Sequence, residues 1–310
     1  MEAPKLPVYK LPADAVWFIT GCSSGLGLEL AKLVASKGQR LIATARKTSD
    51  LAYLPDNDPN ILKLRVDVTS SESIDAAIEA TLSRFGRIDV MVNNAGYTLR
   101  GDTENAPPAA ARALIETNFW GTVTLTRHAL RILRSVNPLS GQPGGVILNV
   151  TSMGGRAAYP GNAFYHASKF AVEGFTESVA REVRPEWNIH LCCVEPGGVK
   201  TGFVSRGTVE IPVHEAYAAP DTPARVLEAY VNDPEASKNW ADAATVVQRM
   251  YELVATEKDI PLRVPLGPDA WTVLKAQNEQ NDRLLDQWRE FSISAGKQGQ
   301  VESLEFLKDM

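Results

Sequence analysis

No stretch of this chain is apolar for long enough to cross a bilayer. The first 15 residues hold Pro4, Pro7 and Pro12 without a continuous apolar core, which predicts no secretory signal, no membrane span and a cytoplasmic protein. Basic runs are also missing. With a formal net charge of -5, no segment could neutralise a phosphate backbone, so no nucleic-acid partner is expected. Three cysteines are too few for a disulfide framework: Cys192 and Cys193 are neighbours in an apolar run, and Cys22 lies in a Gly/Ser loop without metal-ligand spacing. All three read as reduced packing residues, and no metal site is expected. What the chain does hold is material for a core, since 310 residues at 44% hydrophobic content suffice for one large domain, here taken as 1–310.

The first ordered pattern is the apolar run Val16-Trp17-Phe18-Ile19, followed by Thr20-Gly21-Cys22-Ser23-Ser24-Gly25-Leu26-Gly27 and a helix marked by Leu28, Leu30, Ala31 and Val34. Glycines let such a turn approach a pyrophosphate closely, and the free amides of a helix start attract its charge. A second strand, 41–44, lies at the distance a βαβ unit requires. Its end, Ala45-Arg46-Lys47-Thr48, lacks the carboxylate that would take the ribose hydroxyls of NAD(H) and offers cations to a 2′-phosphate, which predicts NADP(H).

Further strands are expected at 61–66, 88–92, 146–150, 189–194 and about 260–264, with helices between them. This alternation predicts an α/β fold, a Rossmann-like doubly wound parallel sheet of about seven strands with helices on both faces. Asp67, closing the third strand, has two readings, a contact to an adenine edge or a turn cap. After the fourth strand come Asn93-Asn94-Ala95-Gly96. Residues 107–136 read as one helix with Asn118 inside, where an Asn competes with the backbone and needs a reason. Ser152 follows the fifth strand, and Tyr165 comes thirteen positions later on helix 163–184. Tyr165 and Lys169 stand four residues apart, on one helix face, where each alters the other's ionisation. A free phenol titrates near ~10, and a fixed cation would lower it.

The T-G-x-x-x-G-x-G turn, the N-N-A-G stretch, the mid-helix Asn118, Ser152 thirteen before Tyr165, Y-x-x-x-K and Pro196-Gly197 occur in the order seen in the short-chain dehydrogenase/reductase family, which residues 16–202 resemble. Within it, Gly21-Cys22-Ser23-Ser24-Gly25-Leu26-Gly27, Ala43-Thr44-Ala45-Arg46 and 261–267 look most like the 17β-hydroxysteroid and retinol dehydrogenase-like enzymes. The resemblance implies that Tyr165 is the general acid in carbonyl reduction and that Lys169 lowers its pKa and binds the nicotinamide ribose. Ser152 would hold the substrate oxygen and Asn118 a water linking Lys169 to solvent. The cofactor set it implies is Gly21, Ser23, Ser24, Gly25, Leu26, Gly27, Arg46, Thr48, Asp67, Asn94, Tyr165 and Lys169, with Val199 and Thr201 at the carboxamide.

The expected reaction interconverts a fairly apolar ketone or aldehyde and an alcohol. Non-redox use of the same scaffold, as isomerase, cyclase, dehydratase or cofactor sensor, stays open, because fold alone does not exclude it. Residues 203–240, with Phe203, Tyr217, Tyr230 and Trp240 among four prolines, read either as a substrate lid or as a loop anchored by its aromatics. Residues 268–310 form a helical extension with a polar tail. The apolar excess of helices 108–136 and 163–184, together with the family's habit of pairing through them, predicts a homo-oligomer, most simply a dimer.

Overall fold

The computed structural model describes residues 7–203, 207–301 and 304. Its centre is built from seven apolar strands: β1 (Val16–Ile19), β2 (Arg40–Ala45), β3 (Ile61–Arg65), β4 (Val90–Asn93), β5 (Gly145–Val150), β6 (Ile189–Pro196) and β7 (Arg263–Leu266). They pair in the order β7-β6-β5-β4-β1-β2-β3, all parallel. The order reverses beside β1, and in open α/β sheets the crevice at such a reversal, outside the strand carboxyl ends, is where ligands bind.

Both faces are apolar because strand residues alternate sides. Trp17, Ile19, Leu41, Val92 and Leu148 pack with Leu30, Ala31 and Val34 of α1 (Gly25–Ser36) on one face. Val16, Phe18, Ile42, Met91 and Ile147 pack on the other with Ile74 and Ile78 of α2 (Ser71–Phe85). The three cysteines are free and buried, as packing residues should be.

The expected helix 107–136 is three pieces: α3 (Pro108–Ile115), a π-helical turn Glu116–Trp120 and α4 (Gly121–Ser135). The widened turn carries Asn118, which is 1% exposed. Such bulges are frequent at functional sites, because they re-aim a side chain without ending the helix. Next come α5 (Ala163–Glu182), α6 (Pro223–Asn232), α7 (Pro234–Lys238), α8 (Ala243–Ala255), α9 (Pro268–Gln287) and α10 (Arg289–Ser294). Val246, Val247, Met250 and Val254 of α8 complete the layer begun by α1.

Strand β7 starts at Arg263 rather than near 260. Pro261 has no amide to donate, and the ladder begins where Cys193 N donates to Leu262 O at 2.8 Å. Within 203–240, Thr208–Glu210 pairs in parallel with Thr98–Arg100. Asp102 then ties the segment down, accepting from Arg225 Nη2 at 3.1 Å and from His214 N at 3.0 Å. Among the described residues no helix is long and apolar enough to cross a membrane.

Candidate active site

The turn between β1 and α1 is tightly packed from beneath. Gly21 has φ +72°, and a Cβ there would meet Ala95 Cα at 2.9 Å. At Gly27 a Cβ would lie 2.4 Å from Gly21 O and 2.6 Å from Asn94 Nδ2, so the turn and the helix touch through backbone. Thr20 is the knot: its Oγ1 donates to Val92 O at 3.2 Å and accepts from Asn94 N at 2.9 Å and Ala95 N at 3.0 Å. Asn94 Nδ2 donates to Thr20 O at 2.9 Å. Asn94 therefore holds the turn in shape. No side chain caps α1, although Ser24 occupies its N-cap, so its first amides are left to an anion. Gly21, Ser23, Ser24, Gly25, Leu26 and Gly27 thus form a cradle that fits a pyrophosphate.

At the end of β2, Arg46, Lys47 and Thr48 are exposed. The Arg46 charge is felt at Asp67 and at Tyr97, which places it over the carboxyl ends of the strands. Asp67 Oδ1 accepts from Thr69 N at 3.0 Å and Thr69 Oγ1 at 2.7 Å. These bonds cap a turn and hold the carboxyl below its ordinary range, with desolvation opposing and Arg46 and Arg65 assisting. These are the contacts of the turn-cap reading of Asp67.

Across the crevice stand Ser152, Tyr165, Lys169 and Asn118. Asn118 Nδ2 donates to Tyr97 O at 2.9 Å and Ser168 Oγ at 3.1 Å, while its Oδ1 accepts from Tyr97 N at 3.1 Å. A Cβ at Gly96 would lie 3.1 Å from Asn118 Oδ1 and 3.7 Å from Lys169 Nζ, so amide and ammonium flank the same backbone. Lys169 is 6% exposed and donates to Val150 O at 2.8 Å. Its Nζ lies 5.7 Å from the Tyr165 ring centroid.

The Tyr165 side chain is partly open to solvent, yet protein packs densely around its hydroxyl, and that burial pushes the phenol up to about 12. A hydrogen bond with Ser152 pulls it the other way. Burial likewise brings Lys169 down to about 8, against the pull of Glu173. The expected lowering of the phenol by Lys169 is thus not what the protein alone produces, because a buried site penalises phenolate and ammonium alike.

Loop 196–201 closes the third side. A Cβ at Gly25 would lie 3.5 Å from Thr201 Cβ, so the loop reaches the start of α1. Val199–Lys200 pairs with Ala241–Asp242, and Gly198 N donates to Asp269 Oδ2 at 2.6 Å. Beneath the loop Glu195 is fully buried with Arg156 Nη1 3.7 Å from its Oε1, and burial, with Glu173 adding to it, pushes its carboxyl up to about 7 against the pull of Arg156 and Arg263. Sequence reasoning did not assign Thr20, Asp269 or His166 to the site. Thr20 was visible as the first letter of its motif, whereas no spacing rule links Asp269 to a loop some seventy residues earlier.

One wall is apolar. Tyr165, like Tyr97 and Phe164, packs against the cluster of Leu99, Ala111, Leu114 and Ile211, and its ring centroid lies 6.0 Å from that of Phe203.

This fold is that of the short-chain dehydrogenases, and the chain belongs to that family: the family model for short chain dehydrogenase matches residues 15–209. It is 47% identical over 273 residues to "Oxidoreductase calM" of Penicillium decumbens, covering 87% of this chain and 89% of that one. A short-chain dehydrogenase from Streptomyces avermitilis superposes with a TM-score of 0.79 at 31% identity, covering 91% of this chain and 99% of the other. A short chain dehydrogenase/reductase from Burkholderia phymatum, solved in complex with NAD, shares the fold with a TM-score of 0.72 at 21% identity, covering 89% of this chain and 96% of its own.

Proposed function

We propose that this oxidoreductase interconverts a fairly apolar ketone or aldehyde and an alcohol, using NADP(H), with Tyr165 as general acid and base. The observation that carries the reading is the convergence of Ser152, Tyr165 and Lys169 across a crevice from a glycine cradle that fits a dinucleotide. A nicotinamide dinucleotide supplies the hydride when bound. Ser152 then holds the carbonyl oxygen by hydrogen bond, and the protonated Tyr165 hydroxyl gives its proton to that oxygen as charge develops. Lys169 opposes the phenolate left behind. The apolar wall around Tyr165, and the likeness to 17β-hydroxysteroid and retinol dehydrogenase-like enzymes, favour bulky apolar carbonyls. Exposed Trp120 and Phe170, on the π turn and on α5, support pairing of two copies through these helices, and light scattering tests it.

NADP(H) rather than NAD(H) follows from Arg46, exposed at the end of β2, where Ala45-Arg46-Lys47-Thr48 holds no acidic residue. A guanidinium meets a 2′-phosphate with charge-assisted hydrogen bonds, so Arg46→Ala should weaken NADPH by about 1.5 to 3 kcal/mol, roughly 10- to 100-fold, and leave NADH nearly unchanged. The measurement is the decay of NADPH or NADH absorbance with a panel running from acetone to steroid and retinoid carbonyls, at two ionic strengths. An unchanged NADPH to NADH ratio of kcat/KM would remove the assignment, and no turnover of any panel member would remove the redox reading.

A further inference from the structure

His166 follows Tyr165 on α5 and is 7% exposed. Its two ring nitrogens are both engaged: Tyr159 N donates to Nε2 at 3.1 Å, and Nδ1 lies 2.8 Å from Gly154 O. An amide can only donate, so Nε2 is the acceptor and the proton sits on Nδ1, from which it is donated to the Gly154 carbonyl. Burial lowers the imidazole pKa, which favours this neutral tautomer.

Gly154 is wedged between His166 and Ser152. A Cβ on it would lie 2.6 Å from His166 Nδ1 and 3.3 Å from Ser152 Oγ. The Gly154 amide donates to Ser152 Oγ at 3.0 Å. The Ser152 hydroxyl still holds its own proton, and its interaction with the Tyr165 hydroxyl favours the phenolate. The same glycine is therefore gripped at its carbonyl by the histidine and at its amide by the serine.

We propose that His166 is a positioning residue for the Ser152 hydroxyl: its Nδ1–H fixes the Gly154 carbonyl, and the glycine so held aims Ser152 at Tyr165 and the substrate oxygen. The inference rests on the roles given above to Ser152 and Tyr165. It separates the two ends of one ring, which two amide side chains can mimic one at a time. In His166→Asn an amide N–H hangs from the same carbon as Nδ1 and keeps the Gly154 bond. In His166→Gln the amide oxygen stands where Nε2 stood, which keeps the Tyr159 bond and loses the one to Gly154.

The test compares wild type, His166→Asn, His166→Gln and Tyr165→Phe by kcat and KM for NADPH with the panel ketone reduced fastest, by NADPH affinity from fluorescence, and by thermal midpoint. His166→Asn should keep kcat within about threefold, whereas His166→Gln should lose roughly 10- to 100-fold in kcat, the scale of an active-site group misplaced by a fraction of an ångström to an ångström. NADPH affinity should stay within about twofold in both, since neither change touches the glycine cradle. Equal kcat in the two variants, with Tyr165→Phe inactive, overturns the inference alone. So does a loss in His166→Gln matched by losses of NADPH affinity and midpoint that His166→Asn lacks, because that would mark a packing role. An active Tyr165→Phe overturns the underlying roles and this inference with them.

Discussion

Tyr165→Phe is expected to lose turnover by about 10³-fold while binding NADPH almost as wild type does, because the change deletes the transferable proton and little else. The ring stays packed against Leu99, Leu114 and Ile211 and near Phe203, so neither fold nor pocket shape gives a competing reason for the loss. Lys169→Ala should damage both steps, since the ammonium opposes the phenolate and lies beside the backbone at Gly96. The pH profile follows from the same residue. Burial brings Lys169 down to about 8, so its charge is present below that value and lost above it. The reductive rate should therefore fall as pH rises through about 8, well before the phenol itself titrates at about 12. Steady-state kinetics across pH on wild type and the two variants checks this; full activity in Tyr165→Phe, or a wild-type rate that climbs above pH 8, would discard the mechanism.

Gly27→Ala should be the most damaging single methyl in the cofactor crevice. Its Cβ would lie 2.4 Å from Gly21 O and 2.9 Å from Gly21 C, both backbone atoms that cannot swing aside. The turn must lift off α1, breaking the Asn94 bond to Thr20 and displacing the amides that would take the pyrophosphate. Overpacking of this kind costs about 1 to 3 kcal/mol of stability, and loss of the cradle should weaken NADPH by roughly 100-fold or more. Gly174→Ala is the matching control: it lies in α5, and beyond the adjoining helix backbone no atom lies within 4 Å of the added Cβ. There the change should stabilise by about 0.5 to 1 kcal/mol. Calorimetry and NADPH titration on the pair decide the point, and wild-type affinity in Gly27→Ala would show that the turn can relax after all.

Much of the sheet was legible because period-two alternation and glycine turns are local signals. Val16 and Phe18 face one layer and Trp17 and Ile19 the other, which is why the run reads as continuously apolar. The Tyr165 and Lys169 pair was legible from spacing and Ser152 from the order of motifs in the resembling family, and the structure sets Lys169 near the Tyr165 ring and Ser152 beside its hydroxyl. Other features depend on contacts between distant segments. The π turn at Asn118 leaves no mark on an apolar pattern, since one extra residue in a helical turn is within its scatter. The opposed shifts of Tyr165 and Lys169 depend on how deeply each is packed, which their four-residue spacing does not state. The start of β7 followed the missing amide of Pro261 rather than hydrophobicity. His166 looked like an ordinary neighbour of Tyr165 until its two nitrogens were seen to face Gly154 and Tyr159.

The bond from Gly198 N to Asp269 Oδ2 has a consequence for the order in which the protein comes into being. A ribosome delivers the loop at 196–201 long before α9, and the sheet it hangs from can pair as soon as β6 has emerged. The loop still lacks its carboxylate partner until residue 269 is outside the exit tunnel. A chain interrupted after β7 would have the sequence of all seven strands and of the Tyr165 helix yet leave that amide to water, so the loop gains its protein partner only once α9 has been synthesised.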